Sequence, residues 1–257
     1  MVSLLFISEQ MKNVTYIHVS TVHNSEAPQE IVPVLMELLA PESVVDIGCG
    51  IGTFLKCFKQ HGIKDVLGID GPWVNMDLLH TNISPQEFKE QNLEQSFKLE
   101  KKYDLVVSVE VAEHIHPEYA DVFIQNLISA GNVIFFSAAV PQQGGQNHVN
   151  EQWLSYWKEK FSEYDYEVHD VLKPYFWNNP KIFFWYKQNM VLVAPKGYRF
   201  RKEFQYNTLE DVIHKDMFQF RMDQMEQEIV EFRNGQLPVF TYFKYLLNGI
   251  FTRKQKN

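Results

Sequence analysis

Between residues 30 and 140 the chain alternates two textures. Short continuous apolar runs, each closing on glycine or acid, are separated by stretches whose apolar residues recur at three and four. "IVPVLMELL" (31–39) has helical spacing and stops before Pro41. "SVVDIG" (43–48) is apolar without alternation, as a strand buried on both faces of a parallel sheet should be. "TFLKCFKQHG" (53–62) predicts a helix closed by glycine. Strands are predicted at "DVLGID" (65–70), "FKEQNL" (88–93), "YDLVVSVEV" (103–111) and "NVIFFSAAV" (132–140), with a helix at "YADVFIQNLISAG" (119–131). Strand–helix alternation of this kind predicts an α/β fold, an open Rossmann-like sheet with helices on both faces.

After Val140 the pattern changes. "PQQGGQNHVNEQW" is polar and glycine-containing, and "EQWLSYWKEKF" resumes helical spacing. "YEVHDVL" (166–172) and "NMVLVAP" (189–195) predict two closing strands around the aromatic insertion "KPYFWNNPKIFFWYKQ". That insertion is read as a hydrophobic cover, with a platform for a flat acceptor as the alternative. From Lys196 on, charged helical patterns dominate. The division is therefore a lead-in over 1–29, a binding domain over 30–195 and a helical C-terminal extension over 196–257. "LPVFTYFKYLLNGIFTRKQK" (237–256) is expected to pack on the domain, with a homodimer contact through the C-terminal helices as the next reading.

Composition narrows the class. The net charge is −8, against a general nucleic-acid binder, which would carry a basic face. The two cysteines, Cys49 and Cys57, both lie in the glycine-turn region and match neither a disulfide framework nor a metal pattern. "MVSLLFISEQMK" lacks a basic segment before its apolar run, so a packed terminal segment is expected there rather than a signal peptide. No run reaches the ~18 apolar residues of a membrane span. The expectation is a cytoplasmic protein without stable membrane insertion.

Candidate chemistry begins at "VVDIGCGIGTF" (44–54). A dinucleotide turn needs G-x-G-x-x-G to seat a pyrophosphate on a helix N-terminus. Here Gly48, Gly50 and Gly52 are followed by Thr53, and Asp46 precedes them. A carboxylate at that point repels a pyrophosphate and suits a ligand with an amino group and a sulfonium. Asp70 ends the second strand, where it can accept from ribose hydroxyls, and Asn92 can meet an adenine edge.

Taken together these residues resemble a class I S-adenosylmethionine-dependent methyltransferase. "VVDIGCGIGTF" matches the family's first motif, "VLGID" its second acidic strand end, and "NL" (92–93) its adenine-side position. "DLVVSVEVAEHI" (104–115) resembles the fourth-strand segment beneath the methionine part of the cofactor. The resemblance spans 30–195 and implies a seven-stranded sheet whose last strand is antiparallel, with S-adenosyl-L-methionine as cofactor and S-adenosyl-L-homocysteine as product. By resemblance, the Gly48–Gly52 backbone with Cys49 meets the amino acid end, Asp70 and Gly71 the ribose, and Asn92 and Leu93 the adenine. Trp73 would pack on the adenine ring or anchor the surface, and Glu110 is the expected contact at the methionine end. Glu113 either lines that end or caps a helix.

A hydroxyl acceptor also needs its proton removed. The loop after the fifth strand carries Asn147, His148, Asn150 and Glu151 within a few residues. His148 is the candidate general base, because an imidazole titrates near neutral pH. The alternative is that Asn150 or Glu151 caps the next helix and His148 is idle. His114, in "EVAEHIHPE", is the second candidate. The loop resembles that of a bacterial subgroup sharing "SAAVP…QGG…H-N-E-Q-W" and "WY-x-QN", whose members look like glycan or secondary-metabolite tailoring enzymes. In this chain the second piece is Trp185, Tyr186, Gln188 and Asn189, which makes Tyr186 and Asn189 candidate acceptor contacts. Two ligands on one turn, His148 and Glu151, are too few for a metal, so none is expected. Nearer the start, His18, His23 and Asn24 could form a lid, though a solvated lead-in is preferred.

The leading function is O-methylation of a small hydroxylated acceptor such as a sugar or glycan precursor. The alternatives are methyl transfer to nitrogen or a phosphate-type oxygen, and a non-catalytic cofactor-binding scaffold. An NAD-dependent oxidoreductase is disfavoured by Asp46 and Thr53.

Overall fold

The computed structural model describes residues 24–201, 211–237 and 239–242. The apolar start of the chain, His18, His23 and most of the 237–256 run lie outside the described residues.

Helix α1 (Glu26–Leu39) ends where Ala40 turns left-handed, φ 42°, and donates its N–H to Met36. The sheet strands are β1 (Ser43–Ile47), β2 (Asp65–Asp70), β3 (Phe88–Glu90), β4 (Tyr103–Val109), β5 (Gly131–Ser137), β6 (Tyr166–His169) and β7 (Val191–Pro195). Between them lie α2 (Thr53–Gln60), α3 (Met76–Leu79), α4 (Ala120–Ala130), α5 (Leu154–Ser162), α6 (Lys173–Phe176) and α7 (Phe184–Asn189). The order across the sheet is β3-β2-β1-β4-β5-β7-β6. β7 runs antiparallel to both neighbours, pairing Phe135 with Leu192 and Val168 with Val193, while the pairs among β1 to β5 are parallel. The expected seven-stranded sheet with an antiparallel last strand is present.

The unbroken apolar runs have a direct cause in the pleat. Successive side chains point to opposite faces, so a strand covered on both sides must be apolar throughout. Val44, Leu105, Val107, Phe135 and Leu192 pack on one face with α1 and α2 through Leu35, Leu38, Leu55 and Phe58. Their neighbours Val45, Val106, Phe136, Val191 and Val193 pack on the other with α4 and α5 through Phe123, Leu127, Trp157 and Phe161. Each such side chain, fully buried, contributes roughly 1.5–3 kcal/mol.

Most of the predicted strands are shorter than expected, β3, β6 and β7 among them. β3 stops at Glu90 because the Asn92 side chain bends the chain by accepting from Glu94 N–H at 2.9 Å. β6 stops at His169, whose carbonyl accepts from Val171 N–H, and β7 starts late because Met190 N–H closes α7 onto Tyr186. The aromatic insertion folds into α6 and α7, with Phe176 and Ile182 in the core.

The chain divides into two compact units, one through His214 and one from Lys215. Residues 211–214 stay with the sheet domain, past the expected boundary at 195. Asp211 accepts from Ser155 N–H and Oγ–H, and His214 N–H donates to Gln188 Oε1. The second unit contains helix α8 (Lys215–Arg233). None of the described helices is long and apolar enough to cross a membrane.

Candidate active site

β1 lies beside β4 where the chain, having added β2 and β3 on one side, crosses to the other. Such a switch opens a crevice beyond the carboxyl ends of the two strands. Two tight turns and one loop line it.

The turn after β1 holds Gly48, Gly50 and Gly52 at φ 89°, 51° and 76°. At Gly48 the backbone runs so close to β4's exit that a Cβ would fall 2.3 to 3.0 Å from Val111. Gly48 and Cys49 N–H both donate to Ile69 C=O, at 2.8 and 3.2 Å. Asp70 locks the turn, accepting from Gly50 N–H at 2.7 Å and from Gly71 N–H at 2.6 Å. Trp73 donates to the same carboxylate, and its ring covers Gly71. Asp46, on β1, is buried. Burial holds its carboxyl well above the ordinary range, and Asp70 nearby adds to the effect. Burial also raises Asp70, against its two amide bonds.

The turn after β4 begins with Glu110 at φ 55°, a strained position for a non-glycine residue. Its N–H donates to Ser137 C=O at 3.1 Å and Oγ at 3.0 Å. Its carboxylate accepts from Gln143 Nε2 at 2.7 Å and Asn189 Nδ2 at 3.2 Å. Burial raises this carboxyl while those amides oppose the shift. A 3-10 turn over Ala112–His114 follows and carries Glu113 to complete burial.

The loop after β5 packs against the β4 turn. Glu151 gathers it, accepting from Gln142 N–H at 2.9 Å, Gly144 N–H at 2.7 Å and His148 Nδ1 at 2.9 Å. The N–H groups of Val149 and Asn150 donate to Glu113 C=O, both at 2.9 Å, tying the loop to the β4 turn. His148 thereby reaches Glu113, Nε2 to Oε1 4.0 Å, and meets the His114 ring edge-on at 4.9 Å. Burial, with His148 beside it, pulls the His114 imidazole down to about 4.

Buried carboxylates beside a cradle that no side chain could share suit a cationic ligand lying along backbone. S-adenosyl-L-methionine, with its ammonium and sulfonium, has that character, and the residues present fit it.

A family model described as a methyltransferase domain matches residues 22–171, more than half of the chain. The chain belongs to the methyltransferase family. Its cofactor is S-adenosyl-L-methionine and its fold is the class I methyltransferase sheet. The mitochondrial ubiquinone biosynthesis O-methyltransferase of Dictyostelium discoideum is 26% identical over 129 residues, 44% of this chain and 37% of that protein. The chain thus matches little more than a third of that relative's length. Among solved structures, PKMT2 from Rickettsia typhi in complex with AdoHcy is similar at TM-score 0.51 and 14% identity, covering 70% of this chain and 55% of that one. An O-methyltransferase family protein from Burkholderia thailandensis is similar at TM-score 0.50 and 14% identity, covering 66% and 57%. These likenesses describe the fold.

In this methyltransferase the expected site residues fall into two groups. Asp46, the glycines, Cys49, Asp70, Gly71 and Trp73 meet at the β1 and β2 ends, while Glu110, His114, His148, Glu151 and Asn189 converge at the β4 and β5 ends. The remaining expected residues lie apart from these two groups. Asn92 lies exposed beyond β3 with its Oδ1 taken by Glu94 N–H, and Leu93 points into the core. Glu151 does not cap a helix: α5 starts at Leu154 with Trp153 at its N-cap, and the carboxylate clasps its own loop instead. Asn150 is buried and accepts from Gln152 Nε2. Asn147 is exposed, and Tyr186 stands edge-on to Phe54 at 6.1 Å. Gln143 was missed. Buried at 5% exposure, its Oε1 accepts from Asn189 and Gln188 while its Nε2 holds Glu110. Its only signal in the sequence is its place between Pro141 and Gly144.

Proposed function

We propose that this methyltransferase methylates a hydroxyl oxygen of a small acceptor, a sugar or glycan precursor, with His148 as general base. The observation that carries the reading is the His148–Glu151 pair, 2.9 Å apart on the loop after β5, beside the switch-point crevice. A hydroxyl needs such a pair, because the attacking oxygen must lose its proton as the C–O bond forms. The partial likeness to an O-methyltransferase supports oxygen as the methylated atom. The net charge of −8 favours a small acceptor over nucleic acid.

S-adenosyl-L-methionine supplies a methyl group activated by its sulfonium. His148 takes the hydroxyl proton on Nε2 and returns it to solvent, while Glu151 holds Nδ1–H and stabilises the imidazolium. Glu110, kept in place by Gln143 and Asn189, faces the methionine end, and the glycine turn with Asp46 receives the amino acid moiety. Asp70 and Gly71 bind the ribose, with Trp73 over the adenine side. The test compares wild type with His148→Ala against a panel of hydroxylated acceptors. S-adenosylhomocysteine affinity, read by calorimetry, stays within a factor of about two, while turnover falls roughly 10²–10⁴-fold. Unchanged turnover removes His148 from the base role.

A further inference from the structure

We infer that Glu113, His114 and His148 form a binding site for a divalent transition-metal ion of the zinc type. One donor atom from each lies within 4.8 Å of the other two, at the mouth of the crevice between the β4 turn and the β5 loop. Around a zinc ion with bonds of 2.0–2.1 Å, ligands stand ~3.4 Å apart, so the site closes on the ion by about an ångström.

A second, independent observation points to a ligand. Glu113 is fully buried with the Glu110 carboxyl against it, and although the backbone amides of Glu113 and Ala139 lie near its carboxylate, neither oxygen completes a well-formed hydrogen bond among the described residues. Two adjacent buried acids so weakly compensated are costly, and a cation is the partner that relieves the cost. The two imidazoles are prepared for that cation by their other nitrogens. His148 Nδ1 donates to Glu151 Oε1 at 2.9 Å, and His114 Nδ1 donates to the Asn147 carbonyl at 3.3 Å. Both acceptors place the ring proton on Nδ1 and so put the lone pair on Nε2, as an outer carboxylate or carbonyl does for metal-bound histidine. Gly145 keeps the space beside His148 open, since a Cβ there would lie 2.2 Å from Nε2.

Two imidazoles and one carboxylate favour zinc-like ions over Mg²⁺ or Ca²⁺, which prefer oxygen donors. Three protein ligands leave a coordination position open for a substrate atom. The inference rests, for what the ion does, on the O-methylation reading, and it replaces one part of it: an Nε2 bound to the ion cannot take the hydroxyl proton, so the ion-loaded protein does not use His148 as its base. With the ion bound, Nε2 is a ligand, and the acceptor hydroxyl loses its proton to solvent because the dication lowers its pKa. The C–O bond forms as the S–CH₃ bond breaks.

The test uses the full chain, stripped with chelator and dialysed against Zn²⁺, with bound metal measured by elemental analysis and Co²⁺ substitution read by visible absorption. Wild type should bind one ion. Glu113→Gln, which keeps the shape of the side chain, and His148→Asn should each weaken binding 10–100-fold, with cooperative thermal unfolding retained. His116→Ala, which breaks the separate His116–Glu94 pair, should leave binding unchanged. No stoichiometric ion in wild type, or equal binding in Glu113→Gln and His148→Asn, overturns the site. Failure of the O-methylation reading looks different: the ion binds, yet no hydroxylated acceptor is methylated with or without it.

Discussion

Asp46 sits where a charge is least welcome, inside the sheet's carboxyl edge with Asp70 close by. Its folded-state pKa stands above the unfolded value of about 3.9. Between those two values the folded protein holds more protons than the unfolded chain, so stability falls as pH rises through that window. At neutral pH the cofactor-free protein therefore carries a cost that a cationic ligand removes. Asp46→Asn should stabilise the cofactor-free protein at pH 7 by about 1 kcal/mol in urea denaturation, with the gain vanishing near pH 4. The same substitution should weaken S-adenosylhomocysteine at least tenfold in calorimetry. A variant that is less stable at pH 7 and binds normally would remove Asp46 from this role. Glu110 shows the same economy, a non-glycine residue held left-handed by the bond its N–H gives to Ser137 and by those its carboxylate accepts from Gln143 and Asn189.

Among elements, the critical contact joins the β1–α2 turn to the exit of β4. Gly48 combines φ 89° with a contact to Val111 that leaves no room for a methyl. Gly48→Ala should cost about 2–4 kcal/mol, from backbone strain plus overpacking. Adding Val111→Ala should recover the packing share and leave the strain, a coupling readable in a double-mutant cycle of urea midpoints. Additive losses would mean that the two turns do not touch. The glycine turn was legible in the sequence because its chemistry is local, glycines and acids at fixed spacing after an apolar run. β1, β4 and β5 were legible because a strand buried on both faces has no polar alternation to hide it. The strand ends were less so, since Asn92 and His169 stop β3 and β6 through turns that compete with the ladder. Least legible was the convergence at the β5 loop. Glu113 and His148 are far apart in sequence, and the hydrogen bonds from Val149 and Asn150 to the Glu113 carbonyl that join them belong to tertiary structure. His148 and Glu151 share one turn and so stand together in the sequence, whereas only the fold brings Glu113, His114 and His148 within reach of one another.

At the scale of the whole sheet domain, the site is held by the ends of β1, β2, β4 and β5 and by the approach to β7 through Asn189. No single element can leave without breaking it. A ligand that binds only this assembled state must stabilise the domain as a unit, by RT ln(1 + [L]/Kd). At a concentration of 100 Kd, S-adenosylhomocysteine contributes ~2.7 kcal/mol, which for a domain of this size corresponds to a rise in Tm of roughly 5–10 °C. NADH should give no rise, because its pyrophosphate would meet the buried carboxyls of Asp46 and Asp70, and Thr53 stands where a dinucleotide turn needs glycine. The comparison is a thermal melt followed by circular dichroism with each ligand in turn. Because Asp70 binds Gly50 and Gly71 at once, Asp70→Asn should abolish the S-adenosylhomocysteine shift while the ligand-free Tm falls by only a few degrees. A shift with NADH and none with S-adenosylhomocysteine would mean that the acids at the β1 and β2 ends serve the turn's own architecture and not a cationic cofactor.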